Sequence, residues 1–176
     1  MDKAQRPTAQ NVQTALQQEL QSASLYRLYA RIAKAEGYLQ IADLFVQTAD
    51  HELEHASLLF ELSNRCVPPS TADNLRDAAE TEKQNPYAAF ADAAQQENLP
   101  ETAFLFRQLE KVEQNHARRF SLLLQNVRND AVFRKESPRY WVCRICGAIH
   151  RGASAPQMCP VCGFSQACFS LYTEDY

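Results

Sequence analysis

The sequence predicts a mainly α fold, in which a four-helix bundle is followed by a small metal-knuckle domain with short β-strands. Residues 1 to about 130 are rich in Ala, Leu, Gln and Glu, which favour helix. Residues 141–176 hold three of the four glycines and five of the six cysteines. An internal repeat divides the helical part into two similar halves. We therefore predict two domains, at 1–134 and 138–176, joined at Lys135–Pro138.

The composition narrows the classes of function. The 176 residues carry a net charge of −3, with 45% hydrophobic and 22% charged residues, as in ordinary globular proteins. No basic patch indicates nucleic acid as a partner, and no apolar run approaches the roughly 20 residues that cross a membrane. The N-terminal residues lack the apolar core of a signal peptide. We therefore expect a cytoplasmic protein, in which paired cysteines usually bind metal.

The internal repeat is ungapped: residues 19–62, moved by 61 positions, superimpose on residues 80–123. Both copies turn at the same place, at Glu36-Gly37 in one and at Glu97 to Pro100 in the other, as expected where Gly, Asn and Pro end helices. Each copy is therefore predicted to form a helical hairpin. The predicted helices span residues 8–36, 39–64, 72–97 and 100–128.

The segment between the two hairpins, Asn64–Asp73, contains Pro68-Pro69, which favours an extended path. Ten residues at about 3.3 Å each reach roughly 33 Å. That length suffices for the long crossover of a ferritin-like bundle. It would equally allow two subunits to exchange helices, so the sequence leaves both arrangements open.

The repeat preserves a set of metal-ligand residues. The second helix of each copy carries Glu-x-x-His, whose i, i+3 spacing places both side chains on one helix face. The first helix of each copy carries one glutamate. Two Glu helices and two Glu-x-x-His helices supply the ligands of a carboxylate-bridged di-metal site, because carboxylates can bridge two cations and each imidazole adds a nitrogen. The predicted ligands, which are also the predicted catalytic residues, are Glu19, Glu52, His55, Glu80, Glu113 and His116.

Each ligand of this set has a predicted position in the site. Glu52 and Glu113 are predicted to bridge the two metal ions. The remaining ligands would complete one ion each, as the pairs Glu19 with His55 and Glu80 with His116.

A tyrosine follows each first-helix glutamate by seven residues, about two helical turns, and so lies on the same helix face. A tyrosine in this position can be a core aromatic, or it can form a hydrogen bond with a ligand carboxylate. Tyr26 and Tyr87 are the candidates for this supporting role.

The C-terminal residues carry two C-x-x-C-G knuckles separated by twelve residues. Four thiolates in a tetrahedral arrangement suit zinc or a single iron, and the spacing alone does not separate these metals. An adjacent di-iron site favours a redox-active iron here. The predicted ligands are Cys143, Cys146, Cys159 and Cys162, whereas Cys66 and Cys168 have no such partner and are predicted to be free thiols.

These two modules, in this order, resemble the rubrerythrins over nearly the whole chain. The resemblance implies a ferritin-like domain with two bridged irons and a rubredoxin-like domain with one. It also implies that hydrogen peroxide is reduced to water at the di-iron site, with electrons relayed through the single iron from a reductase or rubredoxin, in a homodimer. The stretches that carry the resemblance are Glu19 to Tyr29, Thr48 to Ala56, Glu113 to Phe120, and Trp141 to Leu171.

One position departs from the family pattern. Rubrerythrins carry an additional carboxylate on the third helix, one turn after its first ligand, and this chain has Lys83 there. Glu82 lies two residues after Glu80, about 200° around an ideal helix, which predicts a solvent-facing side chain. Pro86 would kink the helix at this point, and a local bulge would swing Glu82 inward. Glu82 is therefore an extra candidate ligand.

Three functions follow as hypotheses. The first is a peroxidase-type oxidoreductase in defence against oxidative stress. The second is a ferroxidase or dioxygen-reducing protein that handles Fe(II). The third is a non-catalytic metal-binding protein with zinc in the cysteine site, and zinc would also suit the carboxylate site. Metal analysis separates the third hypothesis from the others, and turnover with peroxide against dioxygen separates the first two.

Overall fold

The computed structural model describes residues 7–64 and 66–174, and it forms two compact units with a boundary between Pro69 and Ser70. The described residues are mainly helical and end in a small antiparallel sheet, so the predicted fold class is confirmed. The helices are α1 (Pro7–Ala35), α2 (Leu39–Ser63), α3 (Thr71–Lys83), α4 (Tyr87–Gln96) and α5 (Pro100–Arg128). The strands are β1 (Arg134–Cys143), β2 (Ile149–Ser154) and β3 (Phe169–Leu171).

The first unit is the α1–α2 hairpin. Its turn places Gly37 at φ 90°, a left-handed conformation that glycine adopts without steric cost. The amide of Tyr38 closes the turn by donating to the carbonyl oxygen of Ala33, at 2.9 Å. Alanines dominate the buried positions of both helices, which allows the two backbones to pack closely. These residues are Ala23, Ala30, Ala33, Ala42, Ala49 and Ala56.

The second unit repeats this hairpin, with one interruption. The amide of Leu99 donates to the carbonyl oxygen of Ala94 at 2.9 Å, which is the same bond moved by 61 residues, and Asn98 takes the positive φ of 60°. The helix predicted over residues 72–97 is broken, because α3 ends at Lys83 and α4 begins at Tyr87. The kink predicted at Pro86 is therefore a complete break between two helices.

The sheet of the second unit has the strand order β2-β1-β3, and all neighbouring strands are antiparallel. Its core is built around Trp141, Cys143 and Phe169, and the Trp141 indole N–H donates to the carbonyl oxygen of Gly152. The predicted linker, Lys135–Pro138, lies inside β1. The register shifts between Arg134 and Arg139, as expected for a strand with a proline, which cannot donate to the ladder.

No helix among the described residues is long and apolar enough to cross a membrane.

Candidate metal centres

The first hairpin brings together the three ligands predicted for it. The Nδ1 atom of His55 lies 3.0 Å from Glu52 Oε2 and 3.6 Å from Glu19 Oε2. One potential ligand atom from each residue lies within 4.8 Å of the others. The i, i+3 spacing on α2 aligns Glu52 with His55, and the close packing of α1 on α2 adds Glu19. We refer to these three residues as the first triad.

The second hairpin forms an equivalent group from Glu82, Glu113 and His116, which we call the second triad. The Nδ1 atom of His116 lies 3.0 Å from Glu113 Oε2 and 3.8 Å from Glu82 Oε1. The corresponding glutamates are also shielded to a similar degree, since the side-chain exposure is 29% for Glu19 and 26% for Glu82. Each unit therefore carries one Glu–Glu–His triad of the same geometry.

The placement of Glu80 differs from the prediction. Its carboxylate forms an ion pair with Lys83 at 3.1 Å, and its side chain is 56% exposed. Glu82 takes the place beside Glu113 and His116 that the ungapped repeat assigned to Glu80. The reason is the helix break, because it changes the rotation of α3 about its axis relative to α4. As a result Glu82, five residues before Tyr87, faces Glu113 and His116, whereas Glu80, seven residues before Tyr87, does not.

The electrostatics of the two triads differ. In the first triad, the hydrogen bond from Glu19, with a further bond from His55, lowers the pKa of Glu52. In the second triad, Glu82 and Glu113 share one hydrogen bond, which raises the pKa of Glu82 and lowers the pKa of Glu113. Two neighbouring carboxylates separate their titrations in this way because both ionise together only at a cost, unless a cation compensates.

The tyrosines predicted to support the ligands lie in two matching aromatic clusters. Each cluster has three rings, and the distances between ring centroids are nearly equal in the two clusters. The first and second rings are 6.2 and 6.4 Å apart, the second and third 5.7 and 5.6 Å, and the first and third 6.2 and 6.0 Å. Tyr87 also lines an open cleft with Glu82 and Glu113. The repeat therefore holds at α4 and α5, and only α3 departs from it. The clusters are Tyr26, Tyr29 and Phe45 in the first unit, and Tyr87, Phe90 and Phe106 in the second.

The four predicted cysteines converge as expected for the two knuckles. The Sγ atoms of Cys143 and Cys162 are 3.7 Å apart, and those of Cys146 and Cys159 are 3.6 Å apart. A tetrahedral metal with sulfur bonds of about 2.3 Å requires sulfur separations of about 3.8 Å. These distances fit such an ion without rearrangement.

The two knuckles have the same hydrogen-bond pattern and the same electrostatics. Gly147 and Gly163, at φ 76° and 74°, turn the backbone so that amides point towards sulfur. Amides of Cys162 and Val161 lower the pKa of Cys159 to about 6. At Cys162 the Phe164 amide favours the thiolate, but burial and the neighbouring sulfurs outweigh it and raise the pKa to about 12. A cation is therefore needed for all four sulfurs to be thiolates near neutral pH.

The first knuckle shows the same directions of shift: the pKa of its first cysteine is lowered and that of its second is raised. The pKa of Cys143 is lowered, chiefly by the Cys146 amide. The Ala148 amide and Cys162 favour the thiolate of Cys146, but burial and the sulfurs of Cys159 and Cys143 outweigh them and raise its pKa. Cys66 is exposed and Cys168 is half-buried, and neither belongs to the four-cysteine group.

The residues also fit the metals expected for them by donor chemistry. Each triad offers two carboxylates and one imidazole nitrogen, the donor set that suits a divalent transition metal, and four thiolates suit a single iron or zinc. Two such triads and a four-cysteine site define this mainly α chain as a non-haem metalloprotein.

Comparison with known proteins identifies the family. The model described as "Rubrerythrin" matches residues 10–73 and 73–143, and that described as "Rubrerythrin, rubredoxin-like domain" matches residues 141–170. The chain belongs to the rubrerythrin family. The predicted resemblance is thus confirmed, and membership supports iron as the metal and oxidoreductase as the class of protein.

Two relatives illustrate the extent of the match. A rubrerythrin of Clostridium perfringens is 36% identical, with 96% of each chain covered. A rubrerythrin of Porphyromonas gingivalis is 37% identical, with 96% of this chain and 92% of the relative covered. Among solved structures, nigerythrin in a mixed-valence state is 28% identical over 98% of this chain and 91% of that chain, with a TM-score of 0.34. A score this low adds nothing to the fold assignment, which rests on the structure itself.

Proposed function

We propose that the protein reduces hydrogen peroxide to water at a di-iron centre, with electrons relayed through an iron in the four-cysteine site. The observation that supports this most is the presence, in one chain, of two equivalent Glu–Glu–His triads and a tetrahedral four-cysteine group. Two electrons and two protons convert one peroxide into two water molecules. The bound irons would supply the electron-transfer chemistry.

The protein's own side chains have defined roles in this proposal. Glu52 and Glu113 are the most shielded ligands, each with 19% of the side chain exposed, and they are the candidates to bridge the ions. Glu19 with His55, and Glu82 with His116, would complete one ion each. This differs from the sequence prediction only in the replacement of Glu80 by Glu82.

Metal content and turnover test the proposal together. Protein purified anaerobically after iron-replete growth should contain about three irons per chain, two from the triads and one from the cysteines. Turnover with peroxide should exceed turnover with dioxygen. Zinc in the cysteine site of such protein would contradict the relay, and faster turnover with dioxygen would favour the ferroxidase alternative.

The relay has its own matched pair of variants. Cys159→Ser removes a buried metal ligand, whereas Cys168→Ser changes a cysteine outside the four-cysteine group. With reduced rubredoxin as the electron donor, the first variant should lose peroxide turnover and the second should retain it. A chemical reductant that reaches the triads directly should still drive Cys159→Ser. Equal rubredoxin-driven turnover in both variants would contradict the relay.

We further propose that the protein acts in the cytoplasm as a homodimer, and mixed dimers test which hairpins cooperate. One chain carries Glu52→Ala, which disables its first triad, and the other carries Glu113→Ala, which disables its second. If hairpins are exchanged between subunits, the mixed dimer regains one intact pair of triads and therefore activity. If each chain pairs its own hairpins, every pair contains one disabled triad and activity stays lost.

A further inference from the structure

The break between α3 and α4 is closed by a single side chain, that of Asn85. Its Nδ2 group donates to the carbonyl oxygen of Glu82 at 2.7 Å. Its Oδ1 atom accepts from the backbone amide of Tyr87 at 3.3 Å. The side chain is half-buried and thus connects the last turn of α3 to the first residue of α4.

These two bonds give new partners to two backbone groups that lose their helical partners at the break. In a continuous helix the amide at position 86 would donate to the carbonyl of Glu82, but proline has no amide hydrogen and its ring clashes with that carbonyl. The amide of Tyr87 likewise loses its partner at Lys83. Unpaired backbone groups at helix ends are costly when shielded from water. Asn85 offers one donor and one acceptor on a short side chain, as this junction requires.

The consequence for the metal site follows from which carbonyl is bound. Glu82 is the residue whose carboxylate completes the second triad, so Asn85 holds the backbone of a candidate ligand directly. The first hairpin has Ser24-Leu25 where the second has Asn85-Pro86, and α1 continues through that position without a break. The glutamate of the first triad lies seven residues before its tyrosine, and that of the second lies five residues before its own.

We propose that Asn85 is a positioning residue, which fixes the rotational phase of α3 so that Glu82 rather than Glu80 faces Glu113 and His116. Pro86 alone prevents a continuous helix, but the bonds from Asn85 select one geometry of the break. This inference rests on the proposed function, since it requires the second triad to bind a metal.

The first test compares Asn85→Ala with Asn64→Ala in the full-length protein. Asn64 is a matched control because its Nδ2 group also donates to a helical carbonyl oxygen, that of Phe60, at 2.8 Å, while its side-chain hydrogen bonds go to Phe60 and Ser63 and not to a triad residue. Co(II) binding to the metal-free protein is measured by equilibrium dialysis, and the thiolate absorption of the cysteine site reports folding. Asn85→Ala should weaken one of the two non-thiolate Co(II) equivalents by about 10- to 100-fold, as is typical when a group that orients a ligand is removed.

The outcomes separate the two proposals. If the parent protein takes up no Co(II) outside the cysteine site, the proposed function fails and this inference fails with it. If the parent binds two such equivalents and Asn85→Ala matches Asn64→Ala, only the inference is overturned.

The second test exchanges the ligand. The double variant Asn85→Ser, Pro86→Leu carries the residues of the first hairpin and should restore a continuous helix. In the parent, Glu82→Ala should weaken Co(II) binding, and Glu80→Ala should not. In the double variant this order should reverse, because an unbroken helix would place Glu80, two turns before Tyr87, on the face that Glu19 occupies relative to Tyr26. A double variant that stays sensitive to Glu82→Ala and insensitive to Glu80→Ala would overturn the inference, whatever its stability.

Discussion

The two hairpins of this protein share one pattern of ligands and turns, and they differ in the continuity of the first helix. In the first hairpin, α1 is uninterrupted and its glutamate lies two full helical turns before an aromatic cluster. The second hairpin has an equivalent aromatic cluster, and its three distances between ring centroids differ by no more than 0.2 Å from those of the first. The glutamate nevertheless comes from a different sequence position. Similar ring separations therefore coexist with an exchanged candidate ligand.

The difference shows that helical phase is as important as residue identity for a metal site. Glu80 keeps the sequence position of Glu19 but lies in solvent with Lys83. Glu82 corresponds to Gln21 of the first hairpin and completes the second triad. Three non-helical residues between α3 and α4 are enough to reassign the role.

The largest expected effect comes from removing the candidate ligand that distinguishes the second hairpin from the first. Glu82→Ala should lose one iron per chain and lower peroxide turnover by more than about 100-fold, because a ligand matters more than the groups that orient it. Glu80→Ala should change the free energy of unfolding by less than about 0.5 kcal/mol, as for other exposed charges. Iron analysis and steady-state kinetics measure both. The opposite result would restore the ungapped repeat as the better guide.

The pH dependence of metal binding sharpens the comparison further. The pKa of Glu82 is raised above 4.5 and that of Glu52 is lowered below it, so Glu82 is protonated before Glu52 as the pH falls. A metal must displace that proton, which weakens binding by up to about tenfold per unit of pH. Co(II) titrations between pH 7 and pH 4.5 should therefore show the second triad losing metal first. In Glu82→Ala the difference between the two triads should disappear from the titration, since only the Co(II) equivalent of the first triad remains.

The aromatic clusters provide the region where the hairpins should behave alike. Phe45→Ala and Phe106→Ala each remove two ring contacts from a half-buried position. Each should lower the free energy of unfolding by about 2–4 kcal/mol, because both the burial of the ring and two aromatic contacts are lost. Chemical denaturation of the metal-free variants measures the costs. A difference above about 1 kcal/mol would show that the break in the second hairpin also alters its core.

The smallest expected effect concerns the side-chain cap at the start of α3. The Ser70 hydroxyl accepts from the amide of Asp73 and donates to its carboxylate, whereas α2 begins without a side-chain cap. Ser70→Ala should cost about 1 kcal/mol. The hydroxyl also lowers the pKa of Asp73, so this contribution is present above pH 3.8 and is lost as the pH falls through the lowered value. Thermal unfolding at pH 7 and at pH 3 should show the cost shrinking at the lower pH.

The sequence by itself determined most of the architecture. Helical periodicity, the repeat and the turns at Gly37 and Asn98 are local signals, so the bounds of α1, α2 and α5 lie within a few residues of those predicted. The third predicted helix has the expected outer ends but is broken in the middle. Both Glu-x-x-His pairs were found because an i, i+3 spacing on one helix fixes their contact. The four cysteines were found for a similar reason, because each C-x-x-C-G knuckle is a local turn.

Only the tertiary structure decided which side of α3 faces the second triad and at which residue the C-terminal sheet begins. The direction of Glu82 depends on the backbone path through Gln84, Asn85 and Pro86, where the side chain of Asn85 bonds to the Glu82 carbonyl and to the Tyr87 amide. The residues predicted as a linker join β1, since their pairing with β2 depends on a partner many residues away. Periodicity reports neighbours along the chain, whereas the phase of a broken helix and the pairing of a strand depend on contacts that the chain makes only after it has folded.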